Sequence, residues 1–495
     1  MPGRRVNGRL YKVRRVRSPL ARGPRTADQF PAFNHDSPRA GVLHFTSEFA
    51  RRPNSSRLTL SHEPLGRLFT SSAFSDVLPS CLRGFVLAGV AVFASTASRA
   101  SDESDPARST IAPSVIYDGA AIGVLRGGAR TGGTYVGSVH LRLEATAPTT
   151  SSWAGTTALF DVRTLHGQSP DTRVGDAQGV SNIAGPSGTD IEELWVQHNF
   201  SGSSLSVLGG IYDLNTEFYR LQAAGLFLNS SFGIGPEFSQ SGVEGPSIFP
   251  RTAVGIRVAA KPAPSVVLRA ALLDGVPVVR PDRSRGAFRS GDGALMVAEA
   301  AFLSRPTEAA DDHRNPRTRI GRFSTLTPYQ DKLAFGVWHY TGSYPDIGVA
   351  GLPGAQHRGN SGGYAVGEWR LLGRVADAQQ TLSAFMQIGM TSPSVNRFDS
   401  YAGMGLTAAG WIAERPTDQI GLSVASARNG APYVQSQSTL GMAVTRRETT
   451  FELSYLTQPT KWLSFQPDLQ YIVHPDTDRR LRNAWVVQIR FEISF

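Results

Sequence analysis

The sequence predicts an all-β fold, namely a transmembrane antiparallel β-barrel of about sixteen strands with one long extracellular loop folded inward. The first observation is strict alternation in the last stretch, 484–495, where one side-chain parity is apolar and the other is polar or charged. The second is recurrence of this pattern in segments of about ten residues, the length that a tilted strand needs to cross the hydrocarbon layer. The third is that short polar turns alternate with longer loops rich in Gly, Pro, Asn and Asp.

Net charge separates the front of the chain from the remainder. Residues 1–100 contain 16 Lys and Arg against 5 acidic residues, a net charge of +11. The whole chain of 495 residues carries +10, so residues 101–495 sum to −1. The remainder therefore has no basic excess for nucleic acid. Cys81 is the one cysteine and lies at the edge of a segment expected to be removed, which argues against disulfides and thiol chemistry.

An apolar run over 84–97 follows Arg83 and precedes small residues, which is the build of a secretory signal. It is shorter than the roughly 20 residues of a membrane helix; the alternative is a buried core helix. We expect the true start near residues 77–82. The predicted organisation is a basic, unstructured extension at 1–80, a signal peptide at 81–100, a periplasmic lead-in at 101–113 and the barrel at 114–495.

Strand-like segments then follow in sequence. They are 115–125, 134–146, 156–166, 190–200, 204–212, 251–260, 265–274, 294–303, 332–341, 363–372, 381–390, 401–411, 419–427, 449–457, 462–473 and 484–495. An even number places both ends of the barrel on the periplasmic side. The shorter connections then fall on that side, at 201–204, 261–265, 374–380, 414–418 and 458–461. The longer ones fall outside, at 167–189, 213–250, 275–293, 342–362 and 428–448. The long periplasmic connection 304–331 is the exception.

The loop 213–250 is predicted to form the constriction, because it is too long and too apolar to extend into water. Glu217, Arg220 and Asn229 would then lie near the narrowest point. The alternative is a loop that contacts another subunit.

Several stretches resemble one known family. These are GGTYVGSVHLRLEA, the run Leu194–Phe218, LFLNSSFGIGP at 226–236, and LSFQPDLQYIVHP followed by AWVVQIRFEISF. In this order they are similar to the carbohydrate-selective porins of bacterial outer membranes, over residues 113–495. The resemblance implies a sixteen-stranded barrel in the outer membrane that passes glucose and other sugars by diffusion. The closing Phe495 resembles the terminal aromatic that the barrel-assembly machinery reads in such proteins.

Inward parity selects the predicted sugar-binding residues of the lumen, to which two loop residues are added. The set is Arg142, Glu144, Asp161, Arg163, Glu193, Gln197, Glu217, Arg220, Arg257, Arg269, Glu452, Asp468 and Arg490. Neighbouring Arg and carboxylate groups offer both donors and acceptors to a hydroxyl-rich neutral sugar while nearly cancelling the field that selects ions. The alternative is that these charges only solvate a water-filled lumen. Trp195 and Tyr212 would stack on sugar or, alternatively, serve in packing or an aromatic girdle.

Other function classes are less favoured. The sequence has no P-loop, no dinucleotide fingerprint and no Cys or His pair at metal-ligand spacing, so no cofactor is expected. An outer-membrane enzyme would need partners for His198 that cannot be assigned. A general, non-selective porin and a secreted soluble β-protein stay open as alternatives. The expected partners are outer-membrane lipid, neutral sugars and the assembly machinery, with no nucleic acid, and the chain is expected as a monomer or a homotrimer.

Overall fold

The computed structural model describes residues 110–200, 204–277, 288–289, 291–304, 329–348, 355–373, 380–412 and 414–495. Sixteen strands occupy most of this part of the chain. They are β1 Thr110–Gly128, β2 Gly132–Thr146, β3 Thr156–Gly167, β4 Gly188–Asn199, β5 Leu205–Tyr212, β6 Ala253–Ala263, β7 Val266–Asp274, β8 Ala294–Ser304, β9 Asp331–Pro345, β10 Gln356–Leu372, β11 Thr381–Thr391, β12 Phe398–Ala409, β13 Gln419–Asn429, β14 Arg447–Thr460, β15 Leu463–Val473 and β16 Arg482–Ser494.

The strands form one closed antiparallel barrel in which each strand pairs with its neighbours in sequence and β1 pairs with β16. Ile116 lies opposite Ser494 at the closure, and Phe495 exchanges two backbone hydrogen bonds with Val115, at 3.0 and 3.1 Å. Among the described strands closure leaves no unpaired edge, so the paired backbone groups are satisfied inside the sheet. The predicted fold class is confirmed.

Side chains alternate between a lipid-facing surface and the lumen, as their parity predicts. On β2 and β3, Leu141 and Phe160 are 52% and 40% exposed, whereas Ser138, Asp161 and Arg163 are at most 2% exposed. The outer surface is therefore an apolar belt and the inner one is polar, as a barrel in lipid requires.

All sixteen predicted strands are present, but some are longer than predicted. Strand β1 begins at Thr110, inside the predicted lead-in 101–113. The predicted loop 342–362 is shorter in the structure and spans 346–355, because β9 and β10 remain paired up to Pro345 and Gln356. Gly359 lies at a bulge between Arg358 and Asn360 with a φ of 82°.

Four of the five longest connections, those that follow β3, β5, β7 and β13, lie at one end of the barrel and identify it as the extracellular end. The connection between β8 and β9, residues 305–330, is the long exception at the other end. The connection between β13 and β14 contains an unpredicted helix, Ala431–Thr439. In the described ranges no helix is both long and apolar enough to cross a membrane. The predicted extension, signal peptide and most of the lead-in lie outside the described residues, as do residues 305–328 of the long periplasmic connection.

Candidate functional site

The connection between β5 and β6, residues 213–252, lies inside the barrel and is termed the inserted loop. Four short helical turns shape it, at Leu214–Thr216, Ala223–Leu226, Ser230–Phe232 and Pro236–Ser239. Its Phe218, Tyr219 and Phe227 are at most 1% exposed. The prediction that this loop folds inward is confirmed, and its apolar side chains are the physical reason.

Buried glutamates on the wall hold the backbone of the inserted loop. They accept N–H hydrogen bonds as follows: Glu299 of β8 from Tyr219 (2.9 Å), Glu368 of β10 from Ala223 (2.8 Å), and Glu452 of β14 from Leu228 (2.5 Å) and Asn229 (3.2 Å). A carboxylate accepts bonds only, so it complements N–H groups that no strand satisfies.

Wall donors complete the attachment by bonding to carbonyl oxygens of the inserted loop. They are Lys332 Nζ to Arg220 O (2.8 Å), Gln387 Nε2 to Phe232 O (2.9 Å) and Gln466 Nε2 to Leu226 O (2.5 Å). These donors belong to β9, β11 and β15, so the loop crosses the lumen from β5 to the opposite wall.

Aromatic rings pack the loop against the wall. The ring of Phe238 stacks on Trp338 with centroids 4.7 Å apart and an interplanar angle of 7°. The ring centroid of Tyr219 lies 4.4 Å from that of Tyr364. Trp338 and Tyr364 lie on the inward parity of β9 and β10, so these strands present aromatic surface to the loop.

A buried charge network joins the start of the inserted loop to the wall from which it leaves. Arg257 Nε lies 2.7 Å from Glu217 Oε2, and the two Nη atoms of Arg257 donate to Gln197 (2.5 Å) and Ser206 Oγ (2.8 Å). The Tyr212 hydroxyl donates to the same Glu217 oxygen at 2.7 Å. Arg257 and Glu217 are therefore desolvated partners that fix where the loop leaves the wall.

A second charge cluster lines β2 to β4. Arg142 donates twice to Asp161 Oδ2, at 2.5 and 3.1 Å, and His140 Nδ1 lies 3.1 Å from the other Asp161 oxygen. Arg163 Nε lies 2.7 Å from Glu192 Oε2. The pairing of β3 with β4 shifts by one residue between Asp161 and Val162. This bulge turns Glu192 inward although its parity reads outward.

The inserted loop passes close to this cluster. Arg163 donates to Pro250 O at 2.8 Å, and its guanidinium carbon lies 4.6 Å from the centre of the Phe249 ring. Burial raises the pKa of Asp213, in the inserted loop, to about 6, although two backbone N–H groups bond to its carboxylate and oppose the rise. The cluster and the inserted loop together border one part of the lumen.

The connection 168–187, termed the second loop, also lies against the lumen wall. Its main contacts are Glu448 with the N–H groups of Ala177 (2.8 Å) and Gln178 (3.0 Å), Gln470 and Gln488 with Val180 O (2.9 and 2.8 Å), and Arg490 with Ser181 Oγ (2.8 Å) and Asn182. This inward position was not predicted. Its sequence signal was the row of long polar side chains facing inward on β14 to β16.

The structure places all predicted site residues on the lumen wall or in the inserted loop, but it does not gather them into one site. Arg142, Asp161, Arg163 and Glu193 line β2 to β4. Gln197, Glu217 and Arg257 form the loop junction. Arg269 pairs with Glu299 at 3.2 Å. Glu452 holds the inserted loop and Arg490 the second loop, while Asp468 accepts from Gln470 at 3.0 Å and Gln488 at 3.2 Å. Glu144 is buried on β2 and Arg220 is partly exposed in the loop.

Sequence reasoning missed several inward residues that contact these groups. They are Glu192, Glu299, Lys332, Trp338, Tyr364 and Glu368. All except Glu192 have inward parity, so the alternation of side chains along each strand could have identified them. Trp195 is 6% exposed inside the barrel and its indole N–H donates to Glu193 at 3.1 Å, so it packs inside and is not part of an outer girdle. Outward-facing His198 bonds to Thr156 Oγ1 at 2.8 Å.

Comparison with known proteins gives three findings. The sequence model of a family described as "Carbohydrate-selective porin, OprB family" matches residues 130–495. Porin B of Pseudomonas aeruginosa is 24% identical over 383 residues, covering 72% of this chain and 80% of that protein. The high-pH structure of Pseudomonas putida OprB superposes with a TM-score of 0.66 at 19% identity, over 78% of this chain and 94% of that one.

Proposed function

The chain belongs to the carbohydrate-selective porin, OprB family, and on that premise we propose that it carries neutral sugars such as glucose by passive, selective diffusion into the periplasm. It is an outer-membrane channel for carbohydrate and not an enzyme. The proposal concerns which sugars pass, how the lumen favours them and which residues they meet.

One observation carries the proposal: basic groups of the lumen lie beside carboxylates. The shortest distances to a carboxylate oxygen are 2.5 Å for Arg142, 2.7 Å for Arg163, 2.7 Å for Arg257 and 3.2 Å for Arg269. Such pairs nearly cancel each other's field, so neither simple cations nor simple anions gain much. Donors and acceptors stay close together, which suits the hydroxyls of a neutral sugar.

Exposure and position in the barrel divide the predicted site residues into three roles. Arg142 and its neighbour His140 keep 8% and 18% of their side-chain surface accessible, and Arg220 is partly exposed, whereas the side chain of Arg257 is fully buried. We assign direct contact with sugar to the partly exposed Arg142 and Arg220. Glu144, Asp161, Arg163 and Glu193 are at most 8% exposed, and we assign to them the role of charged neighbours that position Arg142 and balance its charge. We assign positioning of the two loops to the group Gln197, Glu217, Arg257, Arg269, Glu452, Asp468 and Arg490. The narrowest point then lies between Arg142 and the inserted loop.

Liposome swelling tests the selectivity directly. Purified protein is reconstituted, and swelling is compared for glucose, an uncharged non-sugar solute of similar size and an amino acid of similar size. Faster swelling with glucose that saturates with concentration is the expected result. Rates that follow solute size alone would identify a general porin, the second candidate.

Two partner assignments complete the proposal. Phe495 stacks on Trp462 with ring centroids 6.3 Å apart and is 57% exposed, which leaves its ring accessible to the barrel-assembly machinery. Deleting Phe495 is expected to lower the yield of folded barrel in cells, and normal assembly of the deletion variant would contradict this assignment. The choice between monomer and homotrimer is measured by native mass spectrometry.

A further inference from the structure

The outer surface of β12 to β14 carries an arrangement that the passage of sugar does not use. Arg428 and Arg447 lie directly opposite each other in the pairing of β13 with β14, at the extracellular ends of both strands. Parity points both away from the lumen, since their neighbours Asn429 and Glu448 are buried inside. Two arginines thus stand side by side where the barrel wall meets the outer-leaflet headgroups.

This pairing is unfavourable without an anion. Side chains directly opposite on one face of an antiparallel pair have Cβ atoms about 5 Å apart, and like charges there destabilise the sheet. Asp399 lies 3.8 Å from Arg428 Nε and offsets part of that repulsion. Arg447 is exposed and forms no ion pair within the described ranges. The pair therefore keeps an excess of positive charge at the membrane surface.

On the same face, the side chains become less polar from the arginine pair toward the membrane centre. The next outward pair is Ser426 and Thr449, whose hydroxyl oxygens lie 3.0 Å apart. The pairs after that are Val424 with Phe451 and Leu422 with Leu453. Phe451, Leu422 and Leu453 are 47%, 61% and 44% exposed, so this lower part is an open apolar surface. Successive outward pairs are about 7 Å apart along the strands.

We propose that this face binds a phosphorylated glycolipid of the outer leaflet. A phosphate accepts hydrogen bonds from Arg428 and Arg447, because guanidinium groups bind phosphate through parallel N–H bonds. The sugar hydroxyls or ester groups of the same lipid lie at Ser426 and Thr449. Its acyl chains cover the Phe451 surface. The order of charge, hydroxyl and apolar groups on the protein matches the order of these groups along such a lipid.

A protein partner would fit this face less well. The apolar part of this face, around Phe451 and Leu453, lies against the lipid hydrocarbon, which a soluble protein does not enter. A second copy of this chain would bring another arginine pair to the same level if the two faces met symmetrically, and like charges would then meet. The proposal needs only the outer-membrane location and does not depend on sugar selectivity.

The test compares lipid binding by native mass spectrometry in detergent with EDTA present, which removes divalent cations that bridge phosphates. The probes are diphosphorylated lipid A and zwitterionic phosphatidylethanolamine. The variant is the double exchange Arg428→Gln with Arg447→Gln. The matched control is Arg479→Gln, an exposed arginine in the extracellular connection between β15 and β16. The heat-dependent shift in gel mobility confirms that each variant is a folded barrel.

We expect the double variant to bind lipid A about 30-fold more weakly than the wild type, the effect of two basic residues at a membrane surface. The control variant should bind like the wild type, and phosphatidylethanolamine should bind all three proteins alike. Lipid A affinity of the double variant within about twofold of wild type would overturn the proposal. So would loss of oligomers with lipid binding intact, because the face would then be an interface between copies.

Discussion

Arg257 on β6 and Glu217 in the inserted loop form an ion pair, with Nε and Oε2 2.7 Å apart and at most 2% of either side chain exposed. The pair fixes the point at which the loop turns from the wall into the lumen. The position of the loop therefore depends on a contact that sugar is not proposed to touch. If the loop forms the proposed constriction, the width of the channel depends on the same contact.

The exchange Arg257→Ala leaves Glu217 buried without its guanidinium partner. Breaking a buried pair in this way costs about 3–5 kcal/mol, here in the free energy of loop docking. We expect a larger single-channel conductance and loss of the preference for glucose. Arg415→Ala removes an exposed arginine from a periplasmic turn and should leave both properties unchanged. Wild-type conductance and selectivity in the Arg257 variant would contradict the role assigned to this pair.

Gly389 on β11 gives the inserted loop room to dock. A methyl group at this position would overlap the carboxyl group of Glu237. We expect Gly389→Ala to displace the loop at a cost of about 1–3 kcal/mol and to raise single-channel conductance. Gly209→Ala is the matched control, because a methyl group there meets no atom within 4 Å. Equal conductance in the two variants would show that the loop does not depend on this contact.

Arg142 is the arginine of the β2–β4 cluster that keeps solvent contact, with 8% of its side chain exposed against 2% for Arg163. Its loss should therefore affect sugar more than loop position. We expect Arg142→Ala to raise the glucose concentration that half-saturates swelling by about tenfold, the effect of losing a hydrogen bond to a charged group. Arg142→Lys should fall between this variant and the wild type. Single-channel conductance should change little, since the loop contacts stay intact. A shift no larger than that of Arg130→Ala, at an exposed extracellular turn, would count against sugar contact.

Docking of the inserted loop should depend on pH through Glu237. Burial raises the pKa of this carboxyl from 4.5 to about 7, while Tyr219 donates to Oε1 at 3.1 Å. The docked loop therefore favours the protonated form. Its stabilisation is fully present below about pH 4.5 and is lost as the pH rises through about 7.

Current fluctuations of single channels check this dependence. We expect them to grow between about pH 5 and about pH 8 in the wild type and to be nearly constant in Glu237→Gln. Glu244→Gln, in the same loop but 36% exposed, is the control and should behave like the wild type. Equal pH dependence in all three proteins would exclude Glu237 as the titrating group.

Strand positions were predictable because each lipid-crossing strand must be apolar on one face. Alternation alone placed Leu141 outside and Asp161 inside. It failed at Glu192, where the bulge opposite Asp161 and Val162 changes the parity of one residue. A bulge is an extra residue in the pairing of two strands, and the sequence of one strand does not contain that information.

The candidate site was predictable in composition but not in grouping. Inward parity identified Arg142 and Glu452 equally well, yet the structure gives Arg142 a partly exposed place and ties Glu452 to backbone N–H groups of the inserted loop. The second loop has fewer apolar residues than the inserted loop, and its Val180 is held by wall glutamines through a backbone carbonyl. Such attachment leaves little signal in the sequence of the loop itself.

The most direct test of the central claim is ion conductance through single channels in a planar bilayer during titration with glucose. A sugar that occupies the lumen beside Arg142 blocks ions while it is bound. We expect conductance to fall along a saturating curve with glucose and to fall far less with an uncharged non-sugar solute of similar size. A decrease that follows only the viscosity of the solution, and is equal for both solutes, would contradict sugar binding inside this channel.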